Sequence, residues 1–218
     1  MSTITSIMQA LPLLMQGAAK TLQLWFGSFF IALSIGTIWG ILRSNKLRGP
    51  VLGKMLDGIT FILRGIPFYV QMLIAYFVLP DLLGINVSAA TASICSLGLC
   101  SAGYVSQIIR GGINTIVAGQ WEAAKVLGYS TMNTLRYIIL PQTLRNALPS
   151  LSGEFDQLLK TTSVISAIGV LDLTGAARNI IAREMNPMTM YMTIACIYLL
   201  MSSMLNILSA AFEQRLQS

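Results

Sequence analysis

The sequence predicts an all-α integral membrane protein with five transmembrane helices, its N-terminus outside and its C-terminus in the cytoplasm. Three observations lead there. Of 218 residues, 55% are hydrophobic and only 10% charged, with a mean hydropathy of +0.71, whereas soluble domains carry about 25% charge. Long stretches have no charged residue at all. The 14 Lys and Arg residues collect unevenly between those stretches.

A bilayer core about 30 Å thick takes roughly 20 residues of helix. The first uncharged run extends from Leu22 to Leu42. The second follows Arg64 to Leu79 and becomes long enough only when extended back toward Met55 across Arg64. The third covers Leu82 to Ile109 and the fifth Met185 to Phe212. Between them, Leu144 to Leu171 forms a fourth span interrupted by Glu154, Asp156 and Lys160. No small-residue cleavage site closes the first apolar run, so the first helix is expected to be retained rather than removed as a signal peptide. The whole chain, 1–218, reads as one transmembrane domain with a core of about 17–212.

Charge position sets the orientation. Arg43, Lys46, Arg48, Lys54, Arg64, Arg110, Lys125, Arg136, Arg145 and Arg215 fall on one side. Lys20, Lys160, Arg178 and Arg183 fall on the other. Ten against four places the first group in the cytoplasm. The basic balance is thus assigned to topology and the lipid bilayer, with no nucleic-acid partner.

Several chemistries are excluded. With no histidine in the chain, histidine triads, histidine-ligated zinc and histidine proton relays cannot be built. No catalytic or metal-ligating residue is assigned. Cys95, Cys100 and Cys196 lie in apolar runs and behave as small hydrophobes. No G-x-x-x-x-G-K-[ST] phosphate loop is present, so the chain binds no cofactor and cannot drive transport with ATP of its own.

The longest cytoplasmic insertion, about 111–141, is the most informative segment. QWEAAKVL, Gln120 to Leu127, is made of good helix formers. Gly128 suits the left-handed residue that ends a helix, and Ser130 can cap the next. That second helix is expected to reach Ile139 and stop at Pro141, with a further break at Pro149.

EAAKVLGYSTMNTLRYIILP, Glu122 to Pro141, resembles the EAA loop of importer permeases of the ATP-binding-cassette class. That pattern is EAA, three residues, Gly, nine residues, then Ile-x-Leu-Pro, and this chain fits it throughout. RGIPFYVQ (Arg64 to Gln71), RGGINTIVAGQWEAA (Arg110 to Ala124) and LPQTLRNALP (Leu140 to Pro149) are similar to the polar amino acid branch of that family. The resemblance covers about Gly17 to Phe212. It implies the type I importer permease fold in a bacterial inner membrane and a second permease subunit, identical or homologous. It also implies a cytoplasmic ATPase dimer that holds ATP and Mg, and an extracytoplasmic amino acid-binding protein. The implied substrate is a polar, basic or amide, amino acid.

In such a loop Trp121 supplies an apolar anchor, Ala123 and Ala124 permit close approach, Gly128 makes the turn, and Glu122 and Lys125 can pair on the surface. These residues are expected to couple the chain to the ATPase. Arg64, Gly65 and Pro67 interrupt the second span, and the family's RG-x-P motif tilts them toward gating or structural coupling. Gln71 faces either a partner helix or the pathway.

In the fourth span, Asp156 and Lys160 are four apart and neutralise each other. Glu154 has no such local partner, and Leu158 and Thr161 continue its face. An amino acid offers that carboxylate an ammonium group, and a basic one offers a second cation. Glu154, Leu158, Thr161 and Gln71 are therefore the candidate pathway residues, set against an alternative in which Glu154 bridges to another helix. Thr161 stands where many relatives have Asp, and Gln107 where they often have Glu.

Two other classes compete. A secondary amino acid transporter would show internal repeats and more intramembrane carboxylates. A structural half of a heterodimeric permease would carry the loop without contacting substrate. An enzyme is the least supported class. The charge asymmetry makes its own prediction: a reporter active only outside the cytoplasm should be silent when fused after Ser218 and active near Asp81, and the reverse pattern would overturn the five-span topology.

Overall fold

The computed structural model describes residues 3–217, which are helical or in turns between helices, with no strand among them. The chain begins with α1 (Thr3–Leu42), then α2 (Leu52–Gly65). α3 (Phe68–Leu73) runs through a wide π turn, Ile74–Val78, into α4 (Leu79–Leu83). α5 (Ala89–Thr115) follows, then α6 (Ala118–Val126) and the short α7 (Thr131–Thr134). A second π turn, Leu135–Ile139, leads to α8 (Leu140–Thr161) and a 3-10 segment, Thr162–Ile168. α9 (Leu173–Glu184) and α10 (Pro187–Gln217) complete the order. Three helices, Ser6–Leu42, Ala89–Thr115 and Pro187–Arg215, are long and apolar enough to cross a membrane. Counting each of two bent pairs as one span raises the number to five.

The boundaries differ from those drawn at charges, because a charge does not end a helix. α1 starts far upstream of Leu22 and runs through Lys20, whose ammonium donates to Gln23 at 2.9 Å. The third span starts at Ala89 rather than Leu82: Gly84 ends α4 with φ +64°, and Ser88 Oγ accepts the Thr91 N–H of the next helix. It then continues past Arg110 to Thr115. The second span is not one helix but breaks at Ile66 and Pro67.

Pro141 and Pro149 were expected to break the chain and do not. Pro141 enters just after the π turn, and the Gln142 side chain donates to the Ile138 carbonyl at 2.8 Å. Pro149 lies inside α8. The observed break comes later, where Asp172 Oδ1 accepts the Gly175 N–H at 2.9 Å and starts α9.

The chain divides into two compact units. One comprises the chain up to Phe30, Ile66–Gly98 and Phe155–Ile207. Its core sets Ala10, Leu14 and Ala18, one stripe of α1 at four-residue spacing, with Leu173, Ala176, Ala177 and Ile180 of α9 and Met190 and Ile194 of α10. Small residues on two of the helices allow tight packing where apolar lipid offers little hydrophobic drive. Trp25 satisfies its indole N–H on the Phe155 carbonyl at 2.9 Å, and Phe29 packs edge-on to Phe155 with centroids 4.4 Å apart.

The other unit comprises Ile31–Gly65, Leu99–Glu154 and the chain from Leu208. Here α1 meets α5 through Gly36 and Gly40, a G-x-x-x-G pair. A Cβ on Gly36 would lie 2.6 Å from Val105 Cβ, and one on Gly40 2.7 Å from Ile109 Cβ. No side chain fits at either position. Gly40→Leu is therefore expected to cost roughly 1 to 3 kcal/mol by overpacking and to lower the thermal unfolding midpoint in detergent. Gly58→Ala, where an added Cβ meets nothing within 4 Å, should leave it unchanged. Equal midpoints for the two variants would contradict the close approach.

Candidate functional site

Within 111–141 the first helix, its Gly128 turn and the Ser130 cap form where the sequence places them, while the second helix runs on through the π turn into α8 instead of stopping at Pro141. α6 ends at Val126 with Leu127 as its cap, Gly128 takes φ +81°, the Gly128 N–H reaches the Lys125 carbonyl at 3.1 Å, and the Tyr129 N–H reaches the Ala124 carbonyl at 3.0 Å. This is a Schellman end, which ties off the last carbonyls of a helix. Ser130 Oγ then accepts the Asn133 N–H and starts α7.

A cavity of about 460 Å³ opens in this knuckle, lined by Lys46, Trp121, Glu122, Lys125, Tyr129, Ser130, Thr131 and Thr134. Trp121 forms part of that wall. Glu122 and Lys125 line the cavity but make no ion pair with each other. The two alanines separate: Ala124 is 1% exposed and packs inward, while Ala123 faces out. What the knuckle presents instead is apolar. Val126 is 88% exposed, Leu127 74%, and Met132 and Val117 69% each. Sequence reasoning passed over these four, although an apolar pair just before a helix-ending glycine is a readable signal.

At the RGIP segment, α2 ends with Gly65 and Pro67 precedes α3. Gln71 donates to the Ile66 carbonyl at 2.7 Å, so it satisfies backbone released by the break. Arg64 lies with its Cζ 5.9 Å from the Tyr104 ring centroid, within the range of a cation–π contact. It makes no ion pair with a carboxylate among the described residues.

Asp156 is bonded to Lys160 at 2.5 Å, as expected, and also accepts the Ser202 hydroxyl. Leu158 is 3% exposed, inside the packing of its unit, and the Thr161 hydroxyl donates to the Gln157 carbonyl at 2.8 Å. Glu154, half-buried, belongs to the other unit, where the Ser101 hydroxyl donates to its Oε1 at 2.6 Å. Glu154 likewise has no cation partner among the described residues. Ser101 and Tyr104, three apart on α5, are additions to the expected set.

A further cluster was not foreseen. Asp57 of α2 gathers three arginines: Arg43 Nε at 2.7 Å, Arg48 Nη2 at 2.7 Å and Arg110 Nη1 at 3.3 Å. Arg43, only 4% exposed, also donates to Ser106 Oγ at 2.8 Å. A buried guanidinium needs such pairing. Its residues come from the turn after α1, from α2 and from α5, so no local spacing reveals it.

Comparison with known proteins agrees with this architecture. The chain is 37% identical over 210 residues to the probable amino-acid ABC transporter permease protein YckA of Bacillus subtilis (strain 168), covering 95% of this chain and 90% of that one. It is 33% identical over 208 residues to the arginine transport system permease protein ArtQ of the same organism, covering 95% and 94%. A putative glutamine transport system permease protein, GlnP of Rickettsia typhi (strain ATCC VR-144 / Wilmington), is 33% identical, covering 93% and 92%. Among solved structures, an amino acid ABC transporter crystallised with histidines superposes with a TM-score of 0.88 at 31% identity, over 99% of both chains. The MetNI methionine ABC transporter in inward-facing conformations shares the fold, with a TM-score of 0.82 at 20% identity over 94% and 97%. Residues 32–218 match the family described as the binding-protein-dependent transport system inner membrane component, and this chain, a transport subunit rather than an enzyme, belongs to that family.

Proposed function

We propose that the chain is the permease subunit of an ATP-driven importer of a polar amino acid, working as a dimer with an identical or homologous permease. It crosses the inner membrane five times, N-terminus outside, and receives substrate from an extracytoplasmic binding protein. A separate ATPase dimer holds ATP and Mg. The observation that carries this reading is the knuckle at 111–141. Its first helix is closed by Gly128 and exposes Val126 and Leu127 at its end, and α7 exposes Met132, on an element predicted to lie in the cytoplasm. Isolated exposed apolar residues need no explanation, but several within one short two-helix segment suit a protein partner. Relatives named for arginine and for glutamine transport support the basic or amide class. Glu154 supplies a negative charge for the substrate's cation.

Around Gly128 an added Cβ meets nothing within 4 Å, so a substitution there acts through the backbone alone. At φ +81° a β-branched residue is strained by about 1 to 2 kcal/mol. Gly128→Val is expected to insert normally in the membrane and to lose most ATPase association or substrate-stimulated hydrolysis. Gly119→Ala, also in open space but inside α6, should retain both. Normal coupling in Gly128→Val would contradict the role of the knuckle.

A further inference from the structure

The arginines around Asp57 bring more charge and more donors than that carboxylate takes up. Arg43, Arg48 and Arg110 all reach Asp57, so three guanidinium groups less one carboxylate leave two positive charges uncompensated within the cluster. Each guanidinium presents several N–H groups in a fixed fork, and Asp57 and Ser106 accept only part of that supply. Arg43 is buried and spends its donors inside. The side chains of Arg48 and Arg110 are 37% and 30% exposed, so the surplus faces outward.

The two outward arginines are held in place. A Cβ on Gly53 would overlap the Arg48 side chain, which therefore packs directly on the backbone of α2. The Asn45 N–H donates to Asn114 Oδ1 at 3.0 Å and ties the turn carrying Arg43 and Arg48 to α5, the helix of Arg110. On α2, Lys54 and Phe61 stand three residues before and four after Asp57 and share its side of the helix. Lys54 is exposed and has no carboxylate partner among the described residues. Phe61 is 74% exposed, and Gly58 leaves open space beside it, since a Cβ there meets nothing within 4 Å. This side of α2 thus passes from cationic to apolar within about two helical turns.

We propose that the edge where the turn after α1 meets α2 and α5 is a headgroup site for an anionic phospholipid. Arg48 and Arg110, joined by Lys54, hold the lipid phosphate, and Phe61 meets the acyl chain. A phosphate offers oxygen acceptors that match a guanidinium fork in parallel bonds. The apolar flank selects a lipid over a soluble acidic partner, because one ligand must satisfy cations at one end and an aromatic ring at the other. On the topology read from charge, the cluster faces the cytoplasmic leaflet, where anionic lipids attract basic groups beside membrane spans. Basic residues at span ends also set orientation, but that task needs neither a carboxylate that gathers them nor a fixed geometry. The site is independent of which solute the chain transports.

The test is native mass spectrometry of the purified permease–ATPase complex in neutral detergent, titrated with equal amounts of phosphatidylglycerol and phosphatidylcholine of the same acyl chains, and separately with inorganic phosphate. Wild type should retain phosphatidylglycerol at least about fivefold over phosphatidylcholine, the scale set by one basic residue at an anionic surface. Arg48→Gln and Arg110→Gln should each remove most of that preference, and Arg48→Lys should keep much of it. Arg178→Gln, which alters an exposed cation assigned to the opposite side, should leave it unchanged. Both glutamine variants spare the Arg43–Asp57 pair, and intact assembly with the ATPase is their folding control. A second measurement needs no variant: phosphatidylglycerol should raise the thermal unfolding midpoint of wild type above that in phosphatidylcholine. Equal retention of the two lipids by wild type, equal midpoints, or a preference unchanged in both glutamine variants overturns the proposal. Inorganic phosphate that binds and displaces the lipid would assign the cluster to a free anion and overturn the lipid site.

Discussion

The approach of α1 to α5 at Gly36 and Gly40 is the constraint from which the rest of that unit follows. Because Val105 and Ile109 leave no room for a side chain on α1, Arg43, one turn beyond Gly40, comes within 2.8 Å of Ser106. There it is almost fully buried, and a charge so placed must be paired. Asp57 supplies the pair and in doing so ties α2 to the turn after α1, through Arg43 and Arg48, and to Arg110 of α5. Removing Asp57 would leave the buried Arg43 guanidinium without an ionic partner. With α2 held in this way, its last turn lays Arg64 over Tyr104. A packing motif made of two missing side chains thus fixes the position of Arg64.

Backbone satisfaction governs the irregular segments. Within lipid no water is available for a free carbonyl, so each departure from the α-helix needs an internal donor. Gln71 supplies one at the Ile66 break and Gln142 one near the second π turn. At the surface knuckle the same task is done by backbone alone through the Gly128 turn. The chain therefore uses amide side chains inside its spans and a glycine where water is at hand. Rigid closure of the knuckle also suits a lever, because a loop that frayed would not pass motion on.

What the sequence made legible was what depends on neighbours in the chain. Gly128, Ser130 and the Asp156–Lys160 pair are decided within four residues, and they lie where expected. Membrane character and family followed from composition and from motif spacing. Span ends were misplaced because they were drawn at charges, while Lys20 and Arg110 simply continue their helices. Pro141 was misjudged because a π turn is not visible in residue type. The polar contacts were invisible for a different reason: Ser101 meets Glu154 across 53 positions, and Arg43 meets Ser106 across 63. Ala123 and Ala124, alike in sequence, differ only because the fold turns one inward.

The importer and the secondary transporter share a membrane domain of apolar helices but differ in what drives them. On the proposed reading the drive arrives through the knuckle from another protein. The direct test is uptake of labelled arginine and glutamine into proteoliposomes holding the permease, its ATPase and the loaded binding protein. Accumulation that requires ATP on the ATPase side and the binding protein on the other, and that persists without an ion gradient, is the predicted result. Accumulation driven by an ion gradient alone, with ATP absent, would contradict it.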